Sequence, residues 1–366
     1  MHETYMKRAI SAALKGKGQT FTNPLVGAVI VKDEEIVAVG SHMAYGQPHA
    51  EKNAIDSCSS PEKLIDSTIY VTLEPCHHYG KQPPCTAAIL QSGIKKVVIG
   101  QLDPNPLVSG KGKAFLEAQG IAVITGVLEK EVREINRHYN TYHEELRPFV
   151  ALKQATTLDG KIALAGQRTR ITGEAALRRA RQERSDYQAI LIGSRTALID
   201  NPTLRTEAAF PPYRVVLDRK GETLKQQLAL FEDASSPVLV FTTKNVQTVF
   251  SNHVEIIVTP SLTLSFVMEE LYRRKIQSVY VEGGSSIHDA FLASGYWDQV
   301  ITYLSPKLIG GNGTASFASS REVNQIFALK EVTVEPVGEE LRIVGRRQED
   351  VYWTHSRKGQ DHAHRT

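Results

Sequence analysis

Two successions of short β-branched runs, each interleaved with helical patterns and parted by one polar stretch, constrain this chain more than any other feature. In the first, GAVIVKDEEIVAVG reads as two strands around a charged turn, and IYVTLEP, KKVVIG and IAVITGV read as buried strands. Helical patterns over residues 1–14, 49–58, 86–92, 111–119 and 128–145 fill the intervals, two of them closed by Gly93 and Gly120. Strands alternating with helices predict a three-layer α/β arrangement. The pattern restarts at 146–148 with PFVALKQA, AILIG, YRVVLD, SPVLVFTT, VEIIVT, SVYVEGG and QVITYLSPKLIGG, helices over 172–184, 262–274 and 286–294, and a closing hairpin VTVEPVGEELRIVG. The expected domains are 1–146 and 147–345. The polar tail 346–366 has nothing apolar to bury and is expected to be disordered. The chain's 366 residues suit two cores, and no internal repeat is present.

A net charge of +3, with basic residues scattered along the chain, argues against a nucleic-acid or membrane surface and favours a small-molecule partner. No apolar run reaches membrane-spanning length, and MHETYMKRAISAALKG has the pattern of an amphipathic helix rather than a leader peptide, so a cytoplasmic enzyme is expected. Three cysteines in a reducing compartment make no disulfide framework. Cys58 lies in a helical pattern and reads as core.

Cys76 and Cys85 are different, because they bracket a loop, HHYGKQPP, that follows one apolar run and opens the next helix. With His49 at the start of another helix they make three nitrogen or sulfur ligands, the number a catalytic zinc takes while one position stays open for water. Glu51, two residues from His49, would then shuttle protons without binding the metal. The competing reading makes each of these an ordinary core or capping residue. The combination H-A-E with E-P-C and P-P-C favours zinc, since it follows the deaminase signature.

At these residues the chain resembles the zinc-dependent cytidine-deaminase superfamily, with His49-Ala50-Glu51 and Pro75-Cys76 in the motif positions. It departs in the eight residues between Cys76 and Cys85, where two are usual. That longer loop, NPLVGAVIVKD, DPNPLVSGKG, LKQATTLDGKIA, AILIGSRTALIDNPTL, VYVEGGSSIH and SPKLIGG are similar to the bifunctional riboflavin-biosynthesis deaminase/reductase family over nearly the whole chain. The resemblance implies a zinc-hydroxide deamination of 2,5-diamino-6-ribosylamino-4(3H)-pyrimidinone 5′-phosphate, then NADPH-dependent reduction of its ribosyl chain to ribityl. It also implies one zinc per chain, a homo-oligomer, and deaminase substrate contacts at Asn23, His42, Lys81, Asp103 and Asn105.

For the second half the resemblance implies a dihydrofolate-reductase-like α/β domain. Gly283 and Gly284, between a strand and a helix, would let the backbone approach a pyrophosphate. Ala155, Arg170, Thr172, Thr196, Asp200, Ser285 and Ser286 are the other implied cofactor positions, and Lys153, Asp159, Arg184, Leu204 and Glu282 the implied substrate positions. Two departures stand out. Arg168-Thr169-Arg170-Ile171-Thr172 occupies a Ser-x-Trp-Ile-Thr stretch, and Glu207 stands where the family carries a phosphate-binding arginine. Arg205, two residues earlier on the same side of an extended segment, is the candidate replacement.

Two other functions fit parts of the pattern: a zinc deaminase of another nucleotide or of a tRNA base with an unrelated second domain, or a structural zinc module in which His77 or His78 supplies a fourth ligand. Weak charge argues against the RNA substrate.

Overall fold

The computed structural model describes residues 1–78, 83–245, 250–322 and 326–348. Its first half contains β1 (Gly27–Lys32), β2 (Glu35–Ser41), β3 (Thr68–Leu73), β4 (Lys96–Gln101) and β5 (Ala122–Thr125). Around them lie α1 (His2–Ala13), α2 (Ala50–Asp56), α3 (Cys85–Gln91), α4 (Lys111–Ala118), α5 (Glu129–Ile135) and α6 (Arg137–Glu145). The sheet order is β2-β1-β3-β4-β5, with β1 antiparallel to both neighbours and β3, β4 and β5 parallel. The β1–β2 hairpin turns through Asp33 and Glu34, both at positive φ (49° and 66°), which matches the right-handed twist of the flanking strands.

Successive strand residues face opposite sides, so apolar runs without alternation bury both faces. Ala28, Ile30, Ile69, Val71, Val97 and Ile99 pack against Ala50, Ala54, Ile89 and Leu116 of α2, α3 and α4. Val29, Val31, Tyr70 and Val98 meet Met6, Ala9 and Val132 of α1 and α5. Gly40 lets α2 sit directly on β2, since a Cβ there would lie 2.2 Å from the Ala50 carbonyl oxygen.

The sequence pattern predicts one helix over 128–145, but two form. Asn136 leaves helical geometry (φ −116°, ψ 23°) and its amide pairs with the Leu25 backbone, accepting from Leu25 N at 2.7 Å and donating to Leu25 O at 2.9 Å. A side chain that satisfies a strand-like partner gives up the helix at that point.

The second half contains β6 (Phe149–Thr157), β7 (Lys161–Ala163), α7 (Glu174–Arg184), β8 (Ala189–Gly193), α8 (Ser194–Asp200) and β9 (Tyr213–Leu217). It continues with α9 (Ala229–Glu232), β10 (Val238–Thr242), β11 (Val254–Val258), α10 (Leu264–Arg273), β12 (Ser278–Gly283) and α11 (Ser285–Ser294). It closes with β13 (Gln299–Ser305), β14 (Thr314–Ala315), β15 (Leu329–Val337) and β16 (Glu340–Arg347). Nine strands form one sheet in the order β11-β10-β9-β8-β12-β6-β13-β16-β15, parallel as far as β13 and antiparallel beyond it. Arg147 anchors the start of this half through Asp298, with N–O distances of 2.8 and 2.6 Å, while Asp298 also accepts from Val150 N at 2.7 Å.

Two expectations change here. The strand expected through QVITYLSPKLIGG stops at Ser305, where Pro306 removes a ladder donor. The last strand runs through Arg346 and Arg347, paired to Lys330 and Leu329, so the segment expected as a tail begins inside the sheet; residues 349–366 lie outside the described residues. Among the described residues no helix is long and apolar enough to cross a membrane.

Candidate metal centre and nucleotide cleft

His49 precedes the first turn of α2 and Cys85 opens α3, while Cys76 lies in the segment leaving β3. The fold thereby brings one nitrogen and two sulfurs together. His49 Nδ1 lies 3.6 Å from Cys76 Sγ and 3.4 Å from Cys85 Sγ, and all three atoms fall within 4.8 Å of one another. A tetrahedral zinc with ordinary Zn–N and Zn–S bonds requires N···S separations of about 3.6 Å, so the donor set fits the ion. Glu51, two residues on, is buried, and its Oε2 has no hydrogen-bond partner among the described residues. An orphaned buried carboxylate oxygen beside three metal-ligand atoms fits a proton shuttle to metal-held water. The three cysteines are free.

The electrostatics suit metal uptake. The Cys76 sulfur, hydrogen-bonded by Cys85 and His49 against the opposing effect of burial, is held down at about 4. His49 is raised to about 9, chiefly through its bond to Cys76, and Cys85 is pushed well above its ordinary value by Cys76 and by burial. Burial lifts Glu51 to about 7.

The deaminase substrate candidates flank this centre. Asn23 Nδ2 is 3.1 Å from His42 Nε2, and the His42 and His49 rings meet edge-on at 5.4 Å. Asp103 accepts from Asn105 N at 2.8 Å and from Tyr139 Oη at 3.0 Å, and burial lifts its carboxyl to about 6. Asn105 in turn accepts from Leu107 N at 3.1 Å. Lys81 lies outside the described residues. Sequence reasoning missed Glu74. This buried carboxylate accepts from Asp103 N (3.2 Å), Gly110 N (3.0 Å) and Lys113 N (3.1 Å), and so ties the DPN loop to the start of α4. The available signal was a carboxylate between an apolar strand and Pro75, a position where burial demands partners.

In the second half a cleft of about 1660 Å³ is lined by Lys153, Ala155, Arg170, Thr172, Arg184, Thr196, Asp200, Leu204, Arg205, Glu282, Gly283, Gly284, Ser285 and Ser286. Asp159 is not among the lining residues. Its carboxylate accepts from Thr157 Oγ1 at the end of β6 (2.5 Å) and from Gly310 N (2.7 Å) and Ile309 N (3.2 Å) of the SPKLIGG loop. Gly284, at φ 85°, leads into α11 in a conformation that L side chains rarely adopt, and a Cβ there would lie 3.1 Å from Thr196 Oγ1. A helix start with no side chain at its cap fits a pyrophosphate. Arg184 grips the largely enclosed Glu282 through Nε and Nη2, at 2.5 and 2.7 Å. Burial pushes Glu282 up but Arg184 outweighs it, and the carboxyl falls to about 2.

Leu204, although it lines the cleft, is buried in the core beneath α8. Arg205 donates through Nε to Asp233 at 2.7 Å, so an incoming phosphate would have to compete with a carboxylate. Lys153, Arg168, Arg181 and Arg195 line the same cleft and make no ion pair among the described residues.

Both halves of the chain match known families. Residues 1–101 match the family model of the cytidine and deoxycytidylate deaminase zinc-binding region, and residues 148–343 match that of the RibD C-terminal domain. The chain is 40% identical over 371 residues to the riboflavin biosynthesis protein RibD of Bacillus amyloliquefaciens, covering 96% of this chain and 99% of that one. To the Aquifex aeolicus RibD it is 38% identical, covering 94% and 98%. The crystal structure of a diaminohydroxyphosphoribosylaminopyrimidine deaminase/5-amino-6-(5-phosphoribosylamino)uracil reductase from Thermotoga maritima superposes with a TM-score of 0.85 at 42% identity, covering 95% and 99%.

Proposed function

The chain belongs to the RibD family of riboflavin-biosynthesis proteins, a zinc deaminase joined to a reductase, and we propose how its own residues divide that work. Residues 1–146 act on 2,5-diamino-6-ribosylamino-4(3H)-pyrimidinone 5′-phosphate and replace its 2-amino group with oxygen. Residues 147–345 then reduce the ribosyl chain to ribityl. The observation that carries this reading is the convergence of His49 Nδ1, Cys76 Sγ and Cys85 Sγ beside the unpartnered Glu51 Oε2.

His49, Cys76 and Cys85 would hold one zinc, which supplies a Lewis acid that brings water near its neutral-pH ionisation. Glu51 Oε2 accepts the water proton, returns one to the ring nitrogen, and helps protonate the departing ammonia. Asn23 and His42 orient the pyrimidine from one side, and Asp103 and Asn105 from the loop that Glu74 fixes. In the second half NADPH supplies hydride. Gly283, Gly284, Ser285 and Ser286 receive its pyrophosphate at the start of α11, with Thr196 and Asp200 alongside. Lys153 and the Arg184–Glu282 pair face the ribosyl end of the substrate, and Arg168, Arg181 and Arg195 supply positive charge for the phosphates of both ligands.

Metal analysis paired with turnover tests the assignment. Cys76→Ala and Cys85→Ala are expected to lose zinc and deamination together. Glu51→Gln is expected to keep zinc while deamination falls on the order of a hundredfold to ten-thousandfold. Near wild-type turnover by Glu51→Gln would remove it from the mechanism.

A further inference from the structure

The segment between α1 and β1 carries Asn23, and its middle is held from outside its own half. Asn136 pairs with Leu25 at one end, and the Asn23 N–H donates to Thr20 O at 2.9 Å. The two carbonyls between are taken by the other half: Gln188 Nε2 donates to Phe21 O at 2.9 Å, and Gln277 Nε2 to Thr22 O at 3.0 Å. Both glutamines are fixed in turn. Gln277 N donates to Gln188 Oε1 at 2.8 Å, Gln188 N donates to Ser278 Oγ at 3.1 Å, and the two residues immediately precede β8 and β12 in the middle of the large sheet.

Aromatic packing follows the same line. Phe21, at φ 52°, stacks on Phe210 with ring centroids 4.8 Å apart. Tyr45, from the segment between His42 and His49, closes edge-on against both rings at 5.6 and 6.3 Å. A bulky residue in the left-handed region persists only where its surroundings over-determine it, and here part of those surroundings belongs to the other half.

We infer that the reductase half positions the Asn23–His42 pair of the deaminase site, with Gln188 and Gln277 as the positioning residues. The inference rests on reading Asn23 as a deaminase substrate ligand. Loss of the two donors frees the Phe21–Thr22 backbone and with it Asn23, the residue that directly follows the nearer contact. It leaves His49, Cys76, Cys85 and Glu51 untouched. Substrate binding therefore weakens while zinc occupancy and proton transfer persist.

The test uses the full-length zinc enzyme carrying Gln188→Glu and Gln277→Glu, which keep shape and acceptor oxygens but lose the N–H donors. The deamination KM is expected to rise about fivefold for each single variant and on the order of twentyfold for the pair, in line with the usual worth of a neutral hydrogen bond. Zinc content, kcat, and reduction of the deaminated intermediate should stay at wild-type levels. The methionine pair, Gln188→Met with Gln277→Met, removes the donors without adding charge and should reproduce the KM rise if the glutamates disturb folding. An unchanged KM in both pairs, or a parallel fall in reduction, overturns the inference. Asn23→Ala checks its premise separately. An unaltered KM there refutes the substrate role of Asn23, whereas a raised KM beside unaffected glutamine pairs refutes the positioning alone.

Discussion

At His49 and Cys85 the metal-free site holds protons that zinc must displace, and this sets a measurable pH dependence. Cys76 is a thiolate above about 4, His49 keeps its proton up to about 9, and Cys85 is held protonated well above its ordinary value. Zinc requires neutral imidazole and two thiolates, so between pH 5 and 8 its binding should release about two protons and its log affinity should climb about two units per pH unit. A competition titration against a chromophoric chelator at several pH values measures that slope, and a flat profile would contradict the assigned ligand protonation. The same residues show what a sequence discloses at this scale. A histidine and two cysteines were legible because the metal allows few substitutes. Glu74 was not, because a carboxylate that serves only backbone N–H groups looks like any acidic residue until the loops it joins are in place. Arg205 reads as a substrate ligand from the resemblance and its spacing from Glu207, yet Asp233, 28 residues later in the chain, already engages it.

Elements with unbroken apolar runs were the most legible, since β3, β4, β8, β10 and β12 bury both faces and leave no alternative period. The break between α5 and α6 was hidden because its cause, the pairing of Asn136 with Leu25, spans 111 residues of sequence. The short α8 went unread because it follows β8 without a turn signal. Between elements, the contact of greatest consequence joins α7 to β12 through Arg184 and Glu282. Glu282 keeps only 11% of its side chain exposed, so Arg184→Ala leaves a largely desolvated carboxylate without its counter-ion, and a destabilisation of about 3 kcal/mol is expected in denaturant unfolding at neutral pH. The sign with pH follows from the depressed carboxyl. Its folded value of about 2 lies below the ordinary 4.5, so the pair's contribution is present above 4.5 and lost as pH falls toward 2. The gap between wild type and Arg184→Ala should accordingly narrow on acidification. A gap that persists unchanged at low pH would assign the loss to packing rather than to charge.

Across the whole molecule, one sheet carries the three candidate zinc ligands and the other the large cleft of the second half. The order of the motifs along the sequence was enough to foresee that division. The hydrogen bonds by which Gln188 and Gln277 cross it were not foreseeable, because neither residue belongs to a motif. The most direct test of the bifunctional assignment is mass spectrometry of the diaminopyrimidinone phosphate after incubation with the zinc-loaded enzyme, with and without NADPH. Without NADPH the substrate should gain about one mass unit as amine becomes hydroxyl, and with NADPH about two more as the ribosyl chain is reduced. Glu51→Gln should abolish the first gain yet still add the two units to pre-formed deaminated intermediate. Reduction of the diamino substrate by that variant at the wild-type rate, or no mass change with the wild-type enzyme, would contradict the account.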